Sequence, residues 1–460
     1  MASDPASRVD AAYRRLTEAE REATRVVHDP ATYARAVPYA ELAALRERYA
    51  AVPVAEPELP GWPAGPGYWL VLRHAEVDRV VKDPATFSSA LGGTQIRDPR
   101  SAEDLAFVRR MMLNMDPPEH SRLRRLLAQS FTPKAVARLE TQVQGHVAGI
   151  LDRMLGDGAE GECDIARDVA ADLPLLVLAD VMGVPAADRW LMFDWANRVI
   201  GWQDPDYRVS AEFDPAGATD LGRAAYALRP LPGPYGLMPD PRSREGMPDL
   251  YGYAHALGTL RRAEPGEDVM SILMSQRDDA GGSVSVEEFE NLFWLFAVAG
   301  NETTRNGIPG GLVGLLADPP SQTALRADPT LVPGAVEEML RWWTPVMTFR
   351  RTATRAVRLG EVDLERGDKV VVSFASANRD PAVFPDPDVF DIRRPNARRH
   401  LAFGAGPHVC LGAHLARVMM GTMLTQVLAR TSWLESAGEP VWLQSNFQRG
   451  VKRLPIRWRR

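Results

Sequence analysis

A single cysteine at the start of a helical pattern constrains this chain more than any other feature. The segment Phe403–Gly412 reads Phe-Gly-Ala-Gly-Pro-His-Val-Cys-Leu-Gly, and apolar residues recur at helical spacing after it. A helix start offers unpaired N–H groups and the positive end of the helix dipole, which favour ionisation of a thiol. Gly404 and Gly412 carry no side chain where a flat, bulky cofactor could lie against the backbone. Cys410 is therefore predicted to be a metal ligand.

The alternative interpretation is an inert buried thiol. Free cysteine is among the most buried residue types, so Cys410 taken alone would favour that alternative. The pattern Phe-x-x-Gly-x-x-x-Cys-x-Gly fixes four positions, however, and at average residue usage it should occur by chance in about one chain in a thousand of this length. The second cysteine, Cys163, lies in a polar, turn-like stretch and is interpreted as structural or incidental.

The ten residues resemble the haem-binding loop of cytochrome P450 monooxygenases. The resemblance implies that Cys410 is the axial thiolate of a haem b iron, and a thiolate in that place favours cleavage of the O–O bond of bound dioxygen. It also implies that Phe403 packs near the sulfur and that His408 reaches a haem propionate.

Two basic residues four apart, His120 and Arg124, share one face of a helix that begins near Asp116. On pattern alone this is a solvated basic face. The resemblance implies instead that both bind haem propionates, together with Arg351, although the adjacent Arg350 leaves the choice between the two arginines open. The remaining basic residues around these motifs are expected to form a patch that steers an acidic electron-transfer partner: Arg122, Arg125, Arg398, Arg399 and Arg417.

A capping box at Ser285 predicts a long helix that extends to about residue 317. Its middle, Ala299–Thr304, resembles the oxygen-activating sequence of the same family. The resemblance assigns Thr303 to holding a proton-bearing water or peroxide and Glu302 to proton delivery, and it implies that Gly300 leaves space above the iron. Alone, a mid-helix threonine more often bonds to its own helix. Pro309 departs from the family pattern and predicts a kink one turn beyond Thr303.

Other positions are assigned to the substrate pocket or to the architecture. The pattern places Glu338 and Arg341 on one helix face, and the resemblance implies a buried network that Arg394 completes. The residues expected to line the substrate pocket are Ile96, Ala299, Val346, Met347, Phe349 and Phe447. The tail after Val441 is predicted to form a hairpin whose turn, near Phe447, points into the cavity.

Composition sets the outer limits. The 460 residues are 45% hydrophobic and 25% charged with a net charge of −6, which gives no indication of nucleic acid or of an anionic membrane as a partner. Two cysteines are too few for a disulfide framework and fit a reducing cytoplasm, and no apolar run is long enough to span a membrane. We expect one domain over residues 1–460, with a flexible segment at 1–28 and a Pro/Gly-rich lid loop at 229–248.

The resemblance covers nearly the whole chain and implies the P450 fold. That fold is mainly α, with small β-sheets, and buries the haem between a long central helix and the helix after the cysteine loop. The implied reaction inserts one atom of dioxygen into a C–H bond of a lipophilic sterol, branched lipid or terpenoid, with electrons from a ferredoxin and its reductase. The alternatives are an oxidase that tailors natural products, a peroxide-driven enzyme and a non-catalytic haem sensor. The pair Glu302 and Thr303 argues against the last two.

Overall fold

The structure, a computed structural model, describes residues 5–59, 63–99, 101–200, 215–233, 239, 241 and 244–460. The chain divides into two units. The first unit comprises Met1–Leu105, Asn306–Ala413 and Trp433–Ile456, and the second comprises Ala106–Arg305, His414–Ser432 and Arg457–Arg460. The expectation of one domain over residues 1–460 stays a prediction.

Twelve strands occur among the described residues. They are β1 (Ala51–Val54), β2 (Tyr68–Val71), β3 (Phe87–Ser88), β4 (Glu160–Asp164), β5 (Thr348–Ala353), β6 (Val357–Leu359), β7 (Val362–Leu364), β8 (Lys369–Ser373), β9 (Trp433–Ser436), β10 (Val441–Trp442), β11 (Val451–Arg453) and β12 (Pro455–Arg459). The first unit contains a sheet in the order β1-β2-β8-β5-β3, in which only β2 and β8 run parallel. Strand β8 is buried along its whole length because it pairs on both sides, and its Val-Val-Val run suits that place.

Eighteen α-helices occur in the same described ranges. They are α1 (Pro5–Tyr13), α2 (Glu18–His28), α3 (Pro30–Tyr33), α4 (Tyr39–Arg48), α5 (His74–Lys82), α6 (Ala102–Val108), α7 (Glu119–Ser130), α8 (Pro133–Leu155), α9 (Asp172–Met182), α10 (Arg189–Ile200), α11 (Asp220–Ala227), α12 (Pro248–Ala263), α13 (Val269–Ser275), α14 (Val286–Leu316), α15 (Pro319–Ala327), α16 (Val332–Trp343), α17 (Phe374–Ala377) and α18 (Ala413–Arg430). The mainly helical fold with small sheets is therefore confirmed. No helix in the described ranges is long and apolar enough to cross a membrane.

The N-terminal segment differs from its prediction of flexibility. Over its described part it forms α1 and α2, and Val9 is buried in a hydrophobic cluster with strands of the sheet. Arg8 also donates to Asp368 at 2.8 Å. Sequence composition alone could not reveal these partners, because they are distant along the chain, and Asp368 lies 360 residues from Arg8.

The long helix α14 begins as expected and continues further than the proline suggests. Ser285 and Glu288 make the reciprocal capping-box bonds at 2.8 and 3.0 Å. The helix then continues through Pro309 to Leu316 without interruption. The glycines around Pro309 have a packing role, because a β-carbon on Gly310 would lie 2.1 Å from the Trp343 ring and one on Gly311 would lie 2.1 Å from Met339. They let α16 pack directly against the backbone of α14.

Two further predictions concern the C-terminal hairpin and the loop at 229–248. The tail hairpin is confirmed, since β10 and β11 pair antiparallel across a turn that includes Phe447. The lid loop at 229–248 lies partly outside the described residues, and its last residue begins α12. At its two ends, Arg229 pairs with Asp194 at 2.9 Å and Arg244 with Glu290 at 2.9 Å.

Substitution of Gly310 by Ala tests the close packing of α16 on α14. The added methyl overlaps the buried Trp343 ring, so we expect the free energy of unfolding to fall by about 1–3 kcal/mol. Gly149→Ala in α8 is the matched control, because its β-carbon would meet no atom within 4 Å and should raise the free energy by about 0.5–1 kcal/mol. Urea unfolding followed by circular dichroism measures both, and equal effects of the two substitutions would contradict this packing.

Candidate functional site

The cysteine loop is shaped by two glycines in left-handed backbone. Gly404 has φ +66° and Gly406 has φ +68°, a region that side chains rarely allow. A β-carbon on Gly406 would also lie 2.6 Å from the carbonyl oxygen of Val81, at the end of α5. Cys410 closes the loop by donating its N–H to the carbonyl of Phe403 at 2.9 Å. The loop therefore has one compact shape that sets the direction of the cysteine side chain.

The thiol of Cys410 is exposed three residues before α18 begins. A β-carbon on Gly412 would lie 4.0 Å from its sulfur, so glycine leaves that side of the sulfur uncovered. The ring of Phe403 is half-buried and packs on His400, with ring centroids 5.7 Å apart. A soft, accessible sulfur donor beside glycines suits a haem iron, so the loop fits the predicted cofactor.

The first unit also holds two of the predicted propionate donors. His408 is half-buried, with Nε2 3.3 Å from the hydroxyl of Ser89, a contact that the sequence did not suggest. Arg350 and Arg351 are adjacent on β5 and therefore point to opposite faces. Arg350 forms an ion pair with Asp98, whereas Arg351 stacks on Phe349 and donates to a backbone carbonyl at 2.8 Å. This difference favours Arg351 over Arg350 as the propionate ligand.

In the second unit, α7 carries His120, which is buried, and Arg124, which is half-buried. The arginines between and after them do not form the predicted open basic patch. Arg122 donates to Asp278 at 2.6 Å and to Glu288 at 2.6 Å, and Arg125 lies 3.3 Å from Asp279. Arg122 in turn lowers the pKa of Asp278, which keeps the pair ionised. That part of the prediction is wrong, because carboxylates 154 to 166 residues away along the chain neutralise these charges.

The open face of α14 at its middle is formed by Ala299 and Thr303, whereas Gly300 was the residue expected to leave space. A β-carbon on Gly300 would lie 2.6 Å from the Leu178 side chain, so this glycine accommodates α9 and opens no space in its own direction. Ala299 is exposed and Thr303 half-exposed one turn later on the same face. The Thr303 hydroxyl donates to the carbonyl of Ala299 at 3.0 Å. Ala299 and Thr303 thus form the open face of the helix, and Gly300 forms the packed face.

Glu302 has a partner that the sequence analysis missed. Its buried carboxylate lies 3.7 Å from Nη1 of Arg305, one turn along α14. Arg305 also donates to Asn197 at 3.1 Å and stacks over Phe193. The three-residue spacing of Glu302 and Arg305 was the available signal. The pair keeps the carboxylate in one orientation next to Thr303.

Four of the predicted pocket residues, Val346, Met347, Phe349 and Phe447, lie close together in the first unit. Met347 donates its N–H to the carbonyl of Phe447 at 2.8 Å, and the Phe349 and Phe447 rings are 5.6 Å apart. Val346 forms a β-bridge with Gln448 on the same turn. Met347 and Ile96 are buried in a common hydrophobic cluster. The turn of the hairpin is therefore fixed to the start of β5.

Glu338, Arg341 and Arg394 form an ion-pair network in the first unit. Glu338 and Arg341 are fully buried and make two hydrogen bonds of 2.7 Å, a bidentate arrangement. Arg394 adds a bond of 3.2 Å to the same carboxylate. Their other hydrogen bonds are with backbone groups of residues 378–391, so their role is architectural.

The two cysteines should differ in reactivity when the protein is prepared without bound cofactor. Burial, with some contribution from Asp168 and Asp164, raises the pKa of Cys163 to about 12, so at pH 8 about one molecule in ten thousand carries its thiolate. We expect a maleimide to label Cys410 and spare Cys163, as mapped by mass spectrometry. Cys410→Ser should abolish rapid labelling and Cys163→Ser should preserve it; equally rapid labelling of Cys163 would contradict the assignment.

The chain resembles known enzymes over most of its length. Residues 257–457 match the family model described as cytochrome P450. A steroid C26-monooxygenase of Mycolicibacterium smegmatis is 34% identical over 90% of this chain and 89% of its own. A methyl-branched lipid omega-hydroxylase of Mycobacterium tuberculosis is 34% identical over 87% and 86%, respectively.

A solved structure gives the same result for the fold. The cytochrome P450 of Mycobacterium marinum in complex with pseudoionone superposes with a TM-score of 0.76 at 33% identity, covering 91% of this chain and 94% of that one. Members of this family are haem-thiolate enzymes, so the expected fold, cofactor and class of reaction are confirmed. This chain belongs to the cytochrome P450 family and is a haem-dependent monooxygenase.

Proposed function

We propose that this P450 hydroxylates an unactivated C–H bond of a sterol, a methyl-branched lipid or a related terpenoid, with electrons supplied by a ferredoxin. The observation that carries the proposal is the similarity, over 86–90% of both chains, to enzymes named for steroid and branched-lipid hydroxylation. The half-buried side chains of Val346, Phe349 and Phe447, which are apolar, support a lipophilic substrate.

Cys410 is the residue proposed to hold the haem, through its thiolate. Its exposed sulfur and the glycines on either side suit that role, and the haem, when bound, supplies the activation of dioxygen. Arg351 and His408 in the first unit, with His120 and Arg124 in the second, are the proposed donors to the propionates. Cationic and neutral N–H donors of this kind stabilise carboxylates that are partly removed from water.

Thr303 and Glu302 are the proposed proton-handling pair. The Thr303 hydroxyl, on the exposed face of α14, orients a water through its remaining acceptor positions while its hydrogen is held by Ala299. The proposed role of Glu302 is to deliver protons toward that water, and Arg305, 3.7 Å away, holds the buried carboxylate in place. Removal of either group should slow proton delivery relative to electron delivery.

The substrate class can be tested by titration of the ferric protein with candidate compounds. A steroid and a methyl-branched fatty acid should each shift the absorption spectrum of the haem-loaded protein and show dissociation constants at or below about 100 µM. A ferredoxin and its reductase with NADH should then give hydroxylated product, whereas hydrogen peroxide alone should give little. Absence of a shift with every steroid and branched lipid, or efficient peroxide-driven turnover, would contradict the proposal.

Thr303→Ala tests the proton-handling role. Because the methyl group cannot orient water, we expect product formed per NADH to fall by about tenfold or more, with hydrogen peroxide released instead. Thr303→Ser is the matched control, since it keeps the hydroxyl and should restore most of the coupling. Product and peroxide are measured in the same reaction, and normal coupling in the alanine variant would refute the assignment of Thr303.

A further inference from the structure

A cavity of about 130 Å³ lies within the first unit, between the N-terminal helices and the C-terminal hairpin. Its walls are mostly apolar and aromatic, and they include Tyr39, Met347 and Trp442. Three polar side chains from the hairpin turn, Ser445, Gln448 and Arg449, also line it. An apolar cavity with a few convergent polar groups is the general form of a small-molecule site.

The guanidinium of Arg449 makes its hydrogen bonds to described residues through one nitrogen, Nη1. Its Nη1 donates to the hydroxyl of Tyr39 at 2.9 Å and to the carbonyls of Trp342 and Trp343, both at 3.1 Å. The group also stacks 3.7 Å from the centroid of the Trp343 ring. Its Nε and Nη2 donate to none of the residues that the structure describes. These two nitrogens form the side of the guanidinium that binds a carboxylate through two parallel hydrogen bonds.

The positive charge of Arg449 has no carboxylate partner within the described ranges. Arg449 lies 5.4 Å from the centroids of the Tyr39 and Trp342 rings. Its neighbour Arg379 lies over the same two rings, at 4.1 Å and 5.1 Å, but Arg379 pairs with Asp388. Among the described residues, Asp388 therefore compensates Arg379 and leaves Arg449 without a carboxylate. Burial lowers the pKa of Arg449 to about 10, which leaves the side chain charged at neutral pH. An uncompensated cation in an aromatic surrounding favours an anionic ligand.

Gln448 provides a second polar group in the cavity. The residue is only 7% exposed, and its side-chain amide makes no hydrogen bond with any part of the chain that the structure describes. The amide is therefore available to hydrogen-bond with a molecule in the cavity, which Gln448 lines. The backbone around it is fixed, because Arg449 donates its N–H to Pro345 at 2.9 Å and Ser445 accepts the N–H of Gln448 at 3.2 Å. The site is therefore organised before a ligand binds.

We propose that this cavity binds the carboxylate of a small organic acid, with Arg449 and Gln448 as donors and with Met347 and Trp442 in contact with its apolar part. The volume suits a short acid, or the carboxyl end of a longer one that extends out of the cavity. The carboxylate can belong to a separate effector molecule or to the end of a lipid substrate. The proposal concerns binding alone and does not depend on the identity of the substrate that is oxidised.

Calorimetric titration of the haem-loaded protein with hexanoate and with hexanamide tests the proposal. The two probes have the same shape, but only hexanoate carries the charge that Arg449 requires, so we expect hexanoate to bind at least tenfold more tightly. Gln448→Leu should weaken hexanoate binding severalfold while Arg449 and its structural bonds remain. Equal binding of the two probes, or no binding of hexanoate, would overturn the assignment.

Ala36 allows a matched pair of variants at the edge of the cavity. It is exposed, so substitutions there should not disturb folding, and it lines the cavity. Ala36→Glu brings a carboxylate that competes for Arg449 and should weaken hexanoate binding by at least about tenfold, which is about 1.4 kcal/mol. Ala36→Gln has nearly the same size without the charge and should retain most of the binding. Equal losses in the two variants would show that Arg449 is not the anion receptor.

A competition experiment separates the two sources of the carboxylate. If the cavity holds the end of a lipid substrate, hexanoate should reverse the haem spectral shift caused by dodecanoate, and Ala36→Glu should weaken that shift. If it holds a separate effector, hexanoate should bind by calorimetry without displacing dodecanoate. Both results support a carboxylate site. Carbon monoxide binding to the reduced protein monitors the haem centre independently, so a failed haem assembly is distinguishable from a failed cavity assignment.

Discussion

The buried ion pair between Glu338 and Arg341 is the interaction on which the cysteine loop depends. Arg341 donates to the carbonyls of Asn378 and Pro387 at 2.8 Å and of Val389 at 3.2 Å, and thereby fastens to α16 the long segment that leads toward the loop. An isolated buried charge is strongly unfavourable, so loss of either partner costs about 3–5 kcal/mol in comparable pairs. The buried charges are therefore stable only while the backbone carbonyls of this segment accept hydrogen bonds from Arg341.

A second line of contacts leads from α16 to the sulfur. The carboxylate of Glu337, the residue before Glu338, lies 3.0 Å from Nε2 of His400. The His400 ring in turn packs on Phe403. The carbonyl of Phe403 then accepts the N–H of Cys410. Asn378 contributes in parallel, because its side chain accepts the N–H of Leu401 at 2.6 Å. Contacts from α16 thus position the start of the cysteine loop, and Gly404 and Gly406 set its backbone shape.

Features encoded by a few neighbouring residues could be predicted from the sequence. The capping box at Ser285, the cysteine loop and the tail hairpin belong to this group, because their spacing is itself the signal. Features that depend on distant partners could not be predicted. Nothing local to Gly300 reveals its contact with Leu178, and Asp278, the partner of Arg122, lies 156 residues away along the chain. For the same reason, the cavity beside Arg449 has no motif, since its walls come from three separate parts of the chain.

The contact between Gly406 and α5 has a further consequence. The nearest neighbours of this glycine are main-chain atoms of Val81 and Lys82, so the loop rests on another stretch of backbone and not on adjustable side chains. Side chains around the loop can therefore change in size without altering this contact between two stretches of backbone. Only three residues, 407–409, separate this fixed contact from Cys410, so the distance that the cysteine can move from α5 is limited by a very short tether.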